Sequence, residues 1–519
     1  MGSFGSSNVR KNIVANFLGK AVAVVTGLFF PPFFARRLGI ESYGLVGLFG
    51  SLIAVLGILD FGLSQTFTRE IARLSTEDSD AANQEIHDIV VTLGLVFWCV
   101  GLITGGAIFL AAPWAPRWLH STSLPHSTIV TAFRAMGMVF ALQWPCGAYA
   151  SALLGLQRHG TYNGIQVIGG LAKNVVAALA IIYLARSVTT FFVCQAIGSL
   201  ALTLVTMWVA HRCLPGRIVS GRIRRSVISK NWKFSAGISV LTLLSLPLMQ
   251  GDKFIVSLVL TLKDVGYYSL AWTVGNSLMM LVGPVCVSVY PRMAQLAKQE
   301  LSSGVRELYR TSCQLVSAVM FPASVVLLLY RYPILLAWTR DMGTTNGTLP
   351  IVGVVVVGTM LYQLMFVPMI LQLSYGWTGL AIKSNVIAVV LYLPLTYVLA
   401  KNYGCVGAAS TWIVLNTGYV LLQIPLIHRR LLPGVTRDWY IWDVLLPFVG
   451  ALFPALLIRQ IVPMPSSRLG TLGASIVAGT LAFLGSVLCS SRVRPRVASE
   501  IKSILRSRLP NGRFRWRRG

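Results

Sequence analysis

The sequence predicts an all-α polytopic membrane protein of about 14 transmembrane helices, arranged as two six-helix lobes with a C-terminal helix pair. Three observations lead there. The 519 residues are 55% apolar and only 12% charged, where soluble domains carry about 25% charged residues. Mean hydropathy is +0.70. Apolar runs of the roughly 20 residues needed to cross a bilayer recur from end to end, whereas an outer-membrane barrel shows short alternating segments. The basic residues, finally, fall in alternate loops.

The expected spans are 12–35, 43–67, 89–111, 129–156, 164–184 and 191–211, then 234–260, 266–290, 311–330, 350–372, 379–400 and 406–426. A last pair covers 442–458 and 469–488. The first run is too long for a signal-peptide core and is expected to stay as helix 1. With the N-terminus in the cytoplasm, 29 of the 44 Lys and Arg fall on the cytoplasmic side and 10 on the other. The positive-inside rule then places both termini in the cytoplasm. The net charge of +28 is thus accounted for by topology, and nucleic acid is not an expected partner. The basic tail, with Phe514 and Trp516 among arginines, is expected to rest on anionic lipid.

The longest strongly basic connector, 213–233, separates an N-lobe (1–212) from a C-lobe (234–430). The appended pair occupies 431–490 and the tail 491–519. A faint internal repeat supports two lobes. A shift of 222 residues lays ESYGLVGLFGSLIAVL on KDVGYYSLAWTVGNSL, with Gly44 on Gly266, and TREIARL on YPRMAQL. Both copies start on the same side, so the repeat is parallel.

Chemistry-bearing residues inside the spans are few, and a charge at mid-bilayer costs about 2.5–3.5 kcal/mol even on the lenient scale. The basic ones are Lys20, Arg134, Lys173, Lys253 and Lys383; the clearly intramembrane acids are Asp60 and Asp252. Asn16 and Lys20 stack on one face of helix 1, Lys173-Asn174 gives helix 5 a polar patch, and Gln143 adds another on helix 4. For Lys383 and Arg134 the competing explanation is snorkelling to the interface. For Asp252-Lys253 it is a self-neutralising pair. The excess of cations favours an anionic substrate such as a diphosphate, bound by charge-assisted hydrogen bonds; an exporter of organic cations would need unpaired acids and aromatics. No P-loop is present, the six histidines and eight cysteines show no metal-ligand spacing, and no catalytic residue, metal or cofactor is expected.

Several stretches resemble a known family. RRLGIESYGL, LDFGLSQTFTREIAR, GDKFIVSLVLTLKDVGYYSLA and YPRMAQL are similar to bacterial polysaccharide repeat-unit flippases of the Wzx type. These belong to the superfamily that holds the lipid II flippases and MATE exporters. The resemblance covers about the first 430 residues. It implies two lobes facing each other in a V, alternating access, and an undecaprenyl-diphosphate-linked oligosaccharide moved across the bacterial inner membrane. Under it, Lys20, Arg134, Lys173 and Lys253 are candidate substrate-binding residues. Asp60 and Asp252 are candidate counter-ions or coupling sites. Arg37, Gly39, Gly44, Arg69, Glu70 and Gly266 are candidate motif or gating positions. Polysaccharide polymerase and chain-length machinery are candidate partners. A lipid II flippase or a MATE exporter is the alternative within the class. A membrane glycosyltransferase or polysaccharide ligase using outer-loop acids such as Asp341 is the alternative outside it. The helix 13–14 pair departs from the usual twelve, as a lipid groove or as a packing element.

Overall fold

The computed structural model describes residues 22, 25–77, 79–216, 221–223, 243, 245–461 and 467–499. Lys20, Asn16, most of the 213–233 linker and the tail from residue 500 lie outside the described residues. Among the described residues every element is helical, apart from one isolated bridge between His120 and Thr261. In lipid the backbone must satisfy its own hydrogen bonds, and long apolar runs do so as helices.

In chain order the helices are α1 (25–38), α2 (Ile40–Leu56), α3 (Leu63–Leu74), α4 (Asp80–Ala111), α5 (Ala115–Trp118), α6 (His126–Gln143) and α7 (Cys146–Gly155). Then come α8 (His159–Tyr183), α9 (Val188–Cys213), α10 (245–259), α11 (Leu262–Lys298), α12 (Ser302–Leu329), α13 (Arg331–Thr339) and α14 (Met342–Leu364). The last are α15 (Phe366–Ser374), α16 (Gly379–Gly418), α17 (Ile424–Leu431), α18 (Thr436–Asp438), α19 (Leu446–Ile461) and α20 (Arg468–Leu488). Serine N-caps begin three long helices: Ser79, Ser187 and Ser467 accept from Ala82, Thr190 and Gly470 N at 3.2, 3.0 and 3.1 Å.

Eleven helical runs are long and apolar enough to cross a membrane among the described residues. One of them, Gly379–Leu431, holds two expected spans and bends at Gly404, whose φ of 61° and ψ of −147° suit glycine alone. α1 and α10 are two further described helices on the expected spans 12–35 and 234–260, so the architecture is consistent with fourteen. Two expectations change. The connector after helix 1 shrinks to Gly39, with φ 88°. The span 43–67 is not one helix, because Phe61 and Gly62 both adopt left-handed backbone (φ 45° and 69°) between α2 and α3.

Two compact units are present. The first takes the described residues of Met1–Thr273, Thr339–Ile351 and Ile382–Thr411. Within it α4 packs on α6, α6 and α8 on α9, and α3 on α7. Phe67, Ile71, Ile86, Ile89, Leu93 and Leu153 are buried where α3, α4 and α7 meet. Here too α2 crosses the start of α11 backbone against backbone. A Cβ on Gly44 would collide with the Leu262 carbonyl, and one on Gly266 with the Ile40 carbonyl. Ile40 and Leu262 are themselves 222 residues apart, so the contact maps onto itself under the repeat. One turn further on, Gly47 receives Ser269, again its partner at 222.

The second unit takes the described residues of Val274–Trp338, Val352–Ala381 and Trp412–Gly519. α12 is its hub and packs against both α19 and α20. A π-helical stretch, Trp439–Leu445, aims the fully buried Asp443 at α12. Arg310 Nε and Nη2 donate to its two carboxylate oxygens at 2.9 and 3.2 Å, and Gln314 Nε2 at 2.7 Å. Arg310 also reaches Asp438 at 3.0 Å. Ser317 Oγ donates to the Asp443 carbonyl at 2.7 Å.

Replacing Gly266 with Ala forces α2 and α11 apart and is expected to cost about 1–3 kcal/mol. Gly283→Ala in the same α11, facing open space, is expected to be neutral or to gain up to about 1 kcal/mol. Thermal melting of the purified protein in one detergent compares them. In the same assay Asp443→Leu leaves a mostly buried guanidinium with half-exposed Asp438 as its remaining carboxylate and is expected to lower stability by about 3 kcal/mol, much of which returns in Arg310→Met/Asp443→Leu.

Candidate functional site

The site grows out of two helix interruptions, both in the first unit. In LGILDFGLS the chain leaves α2 through a 3₁₀ turn, Gly57–Asp60, and re-enters at α3. Asp60 holds the new helix: its Oδ1 accepts from Ser64 N at 3.2 Å and from Ser64 Oγ at 2.7 Å. This places a carboxylate at the positive end of α3. In LQWPCG, Pro145 cannot donate a backbone hydrogen bond, and α6 ends at Gln143 before α7 starts at Cys146. Thr203 Oγ1 of α9 donates to the Leu142 carbonyl at 2.7 Å and so satisfies an acceptor next to the break.

Between the two interruptions lies a cavity of about 250 Å³. Gly57, Asp60 and Ser64 line it from the first break, and Gln143, Trp144 and Gly147 from the second. Ile53, Phe97 and Phe140 complete the wall. Trp144 lies close to parallel to Phe140 (centroids 5.0 Å, 26°) and to Phe97 (6.1 Å, 21°). Behind the wall, half-buried Lys173 of α8 donates to Ser199 Oγ at 2.9 Å and to Gln143 Oε1 at 3.3 Å. Ser199 Oγ donates to the same Gln143 oxygen at 3.2 Å. Lysine is only a donor, so the Gln143 oxygen must face it and the amide NH₂ must face away.

The structure therefore brings Asp60, Gln143 and Lys173 to one place. Asp252 and Lys253 form a separate group on α10. Asp252 is 1% exposed; its Oδ2 accepts from Tyr268 Oη at 2.6 Å, and its Oδ1 has no partner among the described residues. Lys253 donates to Gln250 Oε1 at 3.0 Å and sits 5.3 Å over the Trp272 ring. The two neighbours in sequence thus turn to different partners, and no ion pair within 4 Å joins them. Arg134 is exposed, with its guanidinium 5.4 Å from the Phe109 centroid, away from the cavity lining.

Of the motif positions, Gly39 starts α2 and Gly44 and Gly266 make the crossing. Arg37 is partly exposed and Arg69 exposed. Glu70 is buried and paired with Arg73 at 2.9 Å. Sequence reasoning missed the role of the breaks and of the aromatic wall. The signal was the Gly and Pro interruption of two apolar spans, which marks binding sites in transporters. It missed Glu41 as well: buried at the start of α2, its carboxylate accepts from Thr122 N at 2.6 Å, Ser123 N at 2.9 Å and Ser123 Oγ. Asp341 is a helix cap, its Oδ2 accepting from Thr344 N at 2.6 Å. The Thr344 hydroxyl and amide hold its carboxyl below the ordinary range, which suits a fixed anion rather than a proton donor.

An all-helical, multi-pass architecture with broken helices around a cavity that holds a carboxylate and an amide fits a membrane protein of the transporter type. The chain belongs to the family described as "Polysaccharide biosynthesis protein", whose model matches residues 9–297, more than half of its length. It is 22% identical over 408 residues to a Shigella flexneri protein named as a candidate O-antigen transporter, covering 78% of this chain and 94% of that one. Among solved structures it is similar to the lipid II flippase MurJ, with a TM-score of 0.69 at 12% identity over 94% of this chain and 99% of that one. It is also similar to a multidrug resistance MATE family transporter of the MOP superfamily, with a TM-score of 0.65 at 12% identity over 81% and 99%. These likenesses show the fold.

Because Asp60 both caps α3 and carries charge, two substitutions separate the roles. Asp60→Ala is expected to lose about 1 kcal/mol of stability in thermal melting, whereas Asp60→Asn, itself a good cap, stays near wild type.

Proposed function

We propose that this protein is a flippase that carries a lipid-linked oligosaccharide, an O-antigen, exopolysaccharide or capsule repeat unit on undecaprenyl diphosphate, across the bacterial inner membrane. The family match over residues 9–297 carries the reading. The O-antigen transporter relative and the fold shared with a lipid II flippase support it.

In this reading residues 1–212 and 234–430 act as two lobes that alternate in access, and both termini are cytoplasmic. Substrate affinity that differs between the inward- and outward-open states shifts their populations, and no bond is made or broken. Lys20, Lys173 and Lys253 attract the diphosphate or acidic sugars, and Asp60 and Asp252 act as counter-ions or coupling groups. The part-buried ammonium groups of Lys173 and Lys253 inside apolar helices support that assignment, since such charges are kept for function. The basic tail rests on anionic lipid, and polymerase and chain-length machinery are the partners on the product side.

Transport of undecaprenyl-diphosphate oligosaccharide into the outer leaflet of proteoliposomes tests the reading. The wild type is expected to transport, with Lys20→Ala and Lys173→Ala at least tenfold slower and still folded. A wild type that moves nothing rejects the function; mutants that match wild type reject the cationic site alone.

A further inference from the structure

The cavity between the two helix breaks has a chemistry that does not suit a diphosphate. Its charged group is a carboxylate, Asp60, and Asp60 Oδ1 is already held by Ser64. The second oxygen takes no bond among the described residues. A phosphate placed there would meet a negative charge in a poorly screened setting. Lys173 does not line the cavity; its ammonium is turned to Ser199 and Gln143, and it fixes the Gln143 amide with its NH₂ group away from Lys173. What the cavity offers a ligand is thus one acceptor, Asp60 Oδ2, and one donor pair, Gln143 Nε2, beside the partly exposed Trp144 ring.

We infer that this cavity is a saccharide subsite that takes one pyranose ring of the substrate's glycan. The inference rests on the flippase reading and names which part of that substrate meets which part of the protein. A pyranose has an apolar C–H face and a polar hydroxyl edge. The face suits the partly exposed Trp144 ring, which stacks on the nearly fully buried Phe140 and Phe97. The edge suits Asp60 and Gln143, because a sugar hydroxyl donates to the carboxylate and accepts from the amide at once. At about 250 Å³ the space lies below the roughly 300–1,000 Å³ of drug-sized ligand pockets, on the scale of a single ring. The location explains the architecture as well. Interrupting α2–α3 and α6–α7 at one level opens room inside an otherwise close-packed helix bundle, and it lets Asp60 cap α3 and face the ligand together.

The test uses the full chain in lipid nanodiscs and water-soluble probes: farnesyl diphosphate, and farnesyl diphosphate carrying one glucose or one N-acetylglucosamine. Calorimetric titration gives the ratio of affinities, sugar-bearing over bare. The expected ratio is at least tenfold for one of the two sugars in the wild type. It should fall towards one in Trp144→Leu and Asp60→Asn and be largely kept in Trp144→Phe. A wild-type ratio near one for both sugars overturns the subsite, and so does a ratio that survives both substitutions. The wild-type comparison stands even where a variant does not fold. Should the ratio hold while proteoliposomes show no movement of undecaprenyl-diphosphate oligosaccharide, the flippase reading fails and the saccharide site remains.

Discussion

The crossing of α2 over the start of α11 is the constraint that the first unit is built around. Gly44 and Gly266 bring two backbones to hard contact, with each glycine set against the carbonyl of the residue four before the other. In lipid there is little hydrophobic drive between helices, so small residues that allow close approach do the work of association. The hydrogen-bonding groups around the crossing are pinned in turn. Glu41, three residues before Gly44, gathers the amides of Thr122 and Ser123, and Asp264, two before Gly266, accepts from Thr261 Oγ1 at 2.6 Å. The helix ends that meet there are therefore fixed by carboxylates as well as by shape.

From that anchor the polar interior follows a simple economy of partners. Each interruption of a helix frees backbone groups that lipid cannot satisfy, and each is answered locally: Ser64 by Asp60, the Leu142 carbonyl by Thr203. Lys173 is answered by Ser199 and Gln143. Among the described residues, Gln143's amide nitrogen and one Asp60 oxygen in the cavity take no bond, and several buried atoms elsewhere, one Asp252 oxygen and both amide atoms of Gln363 among them, are also left without a partner. A protein that moves a polar cargo through lipid needs such a remainder.

Much of this was legible in the sequence. Hydropathy reports transfer into lipid, so the spans were readable, and the 222-residue register put Gly44 on Gly266 before any contact was seen. Lys173 and Gln143 were readable as polar patches. Their junction through Ser199 was not, because it joins three helices whose relative rotation no local pattern encodes. The break after Leu56 escaped for a different reason. Averaged over a window, LDFGLS is still apolar enough to continue a span, and a left-handed Phe61 leaves no mark on hydropathy. Arg134 was read as a cavity cation from depth along the helix alone, while its direction, over Phe109, depends on packing.

The tie between Arg310 and Asp443 bears on biogenesis. The segment Thr436–Ile461 must enter the bilayer carrying a carboxylate, whose unpaired insertion costs up to about 2.5–3.5 kcal/mol. Its partner precedes it by 133 residues. Chains are made and fold from the N-terminus onward, so α12 is already in place when Asp443 leaves the ribosome. This segment thus meets its counter-charge on arrival, and the order of synthesis itself serves as the chaperone for that step.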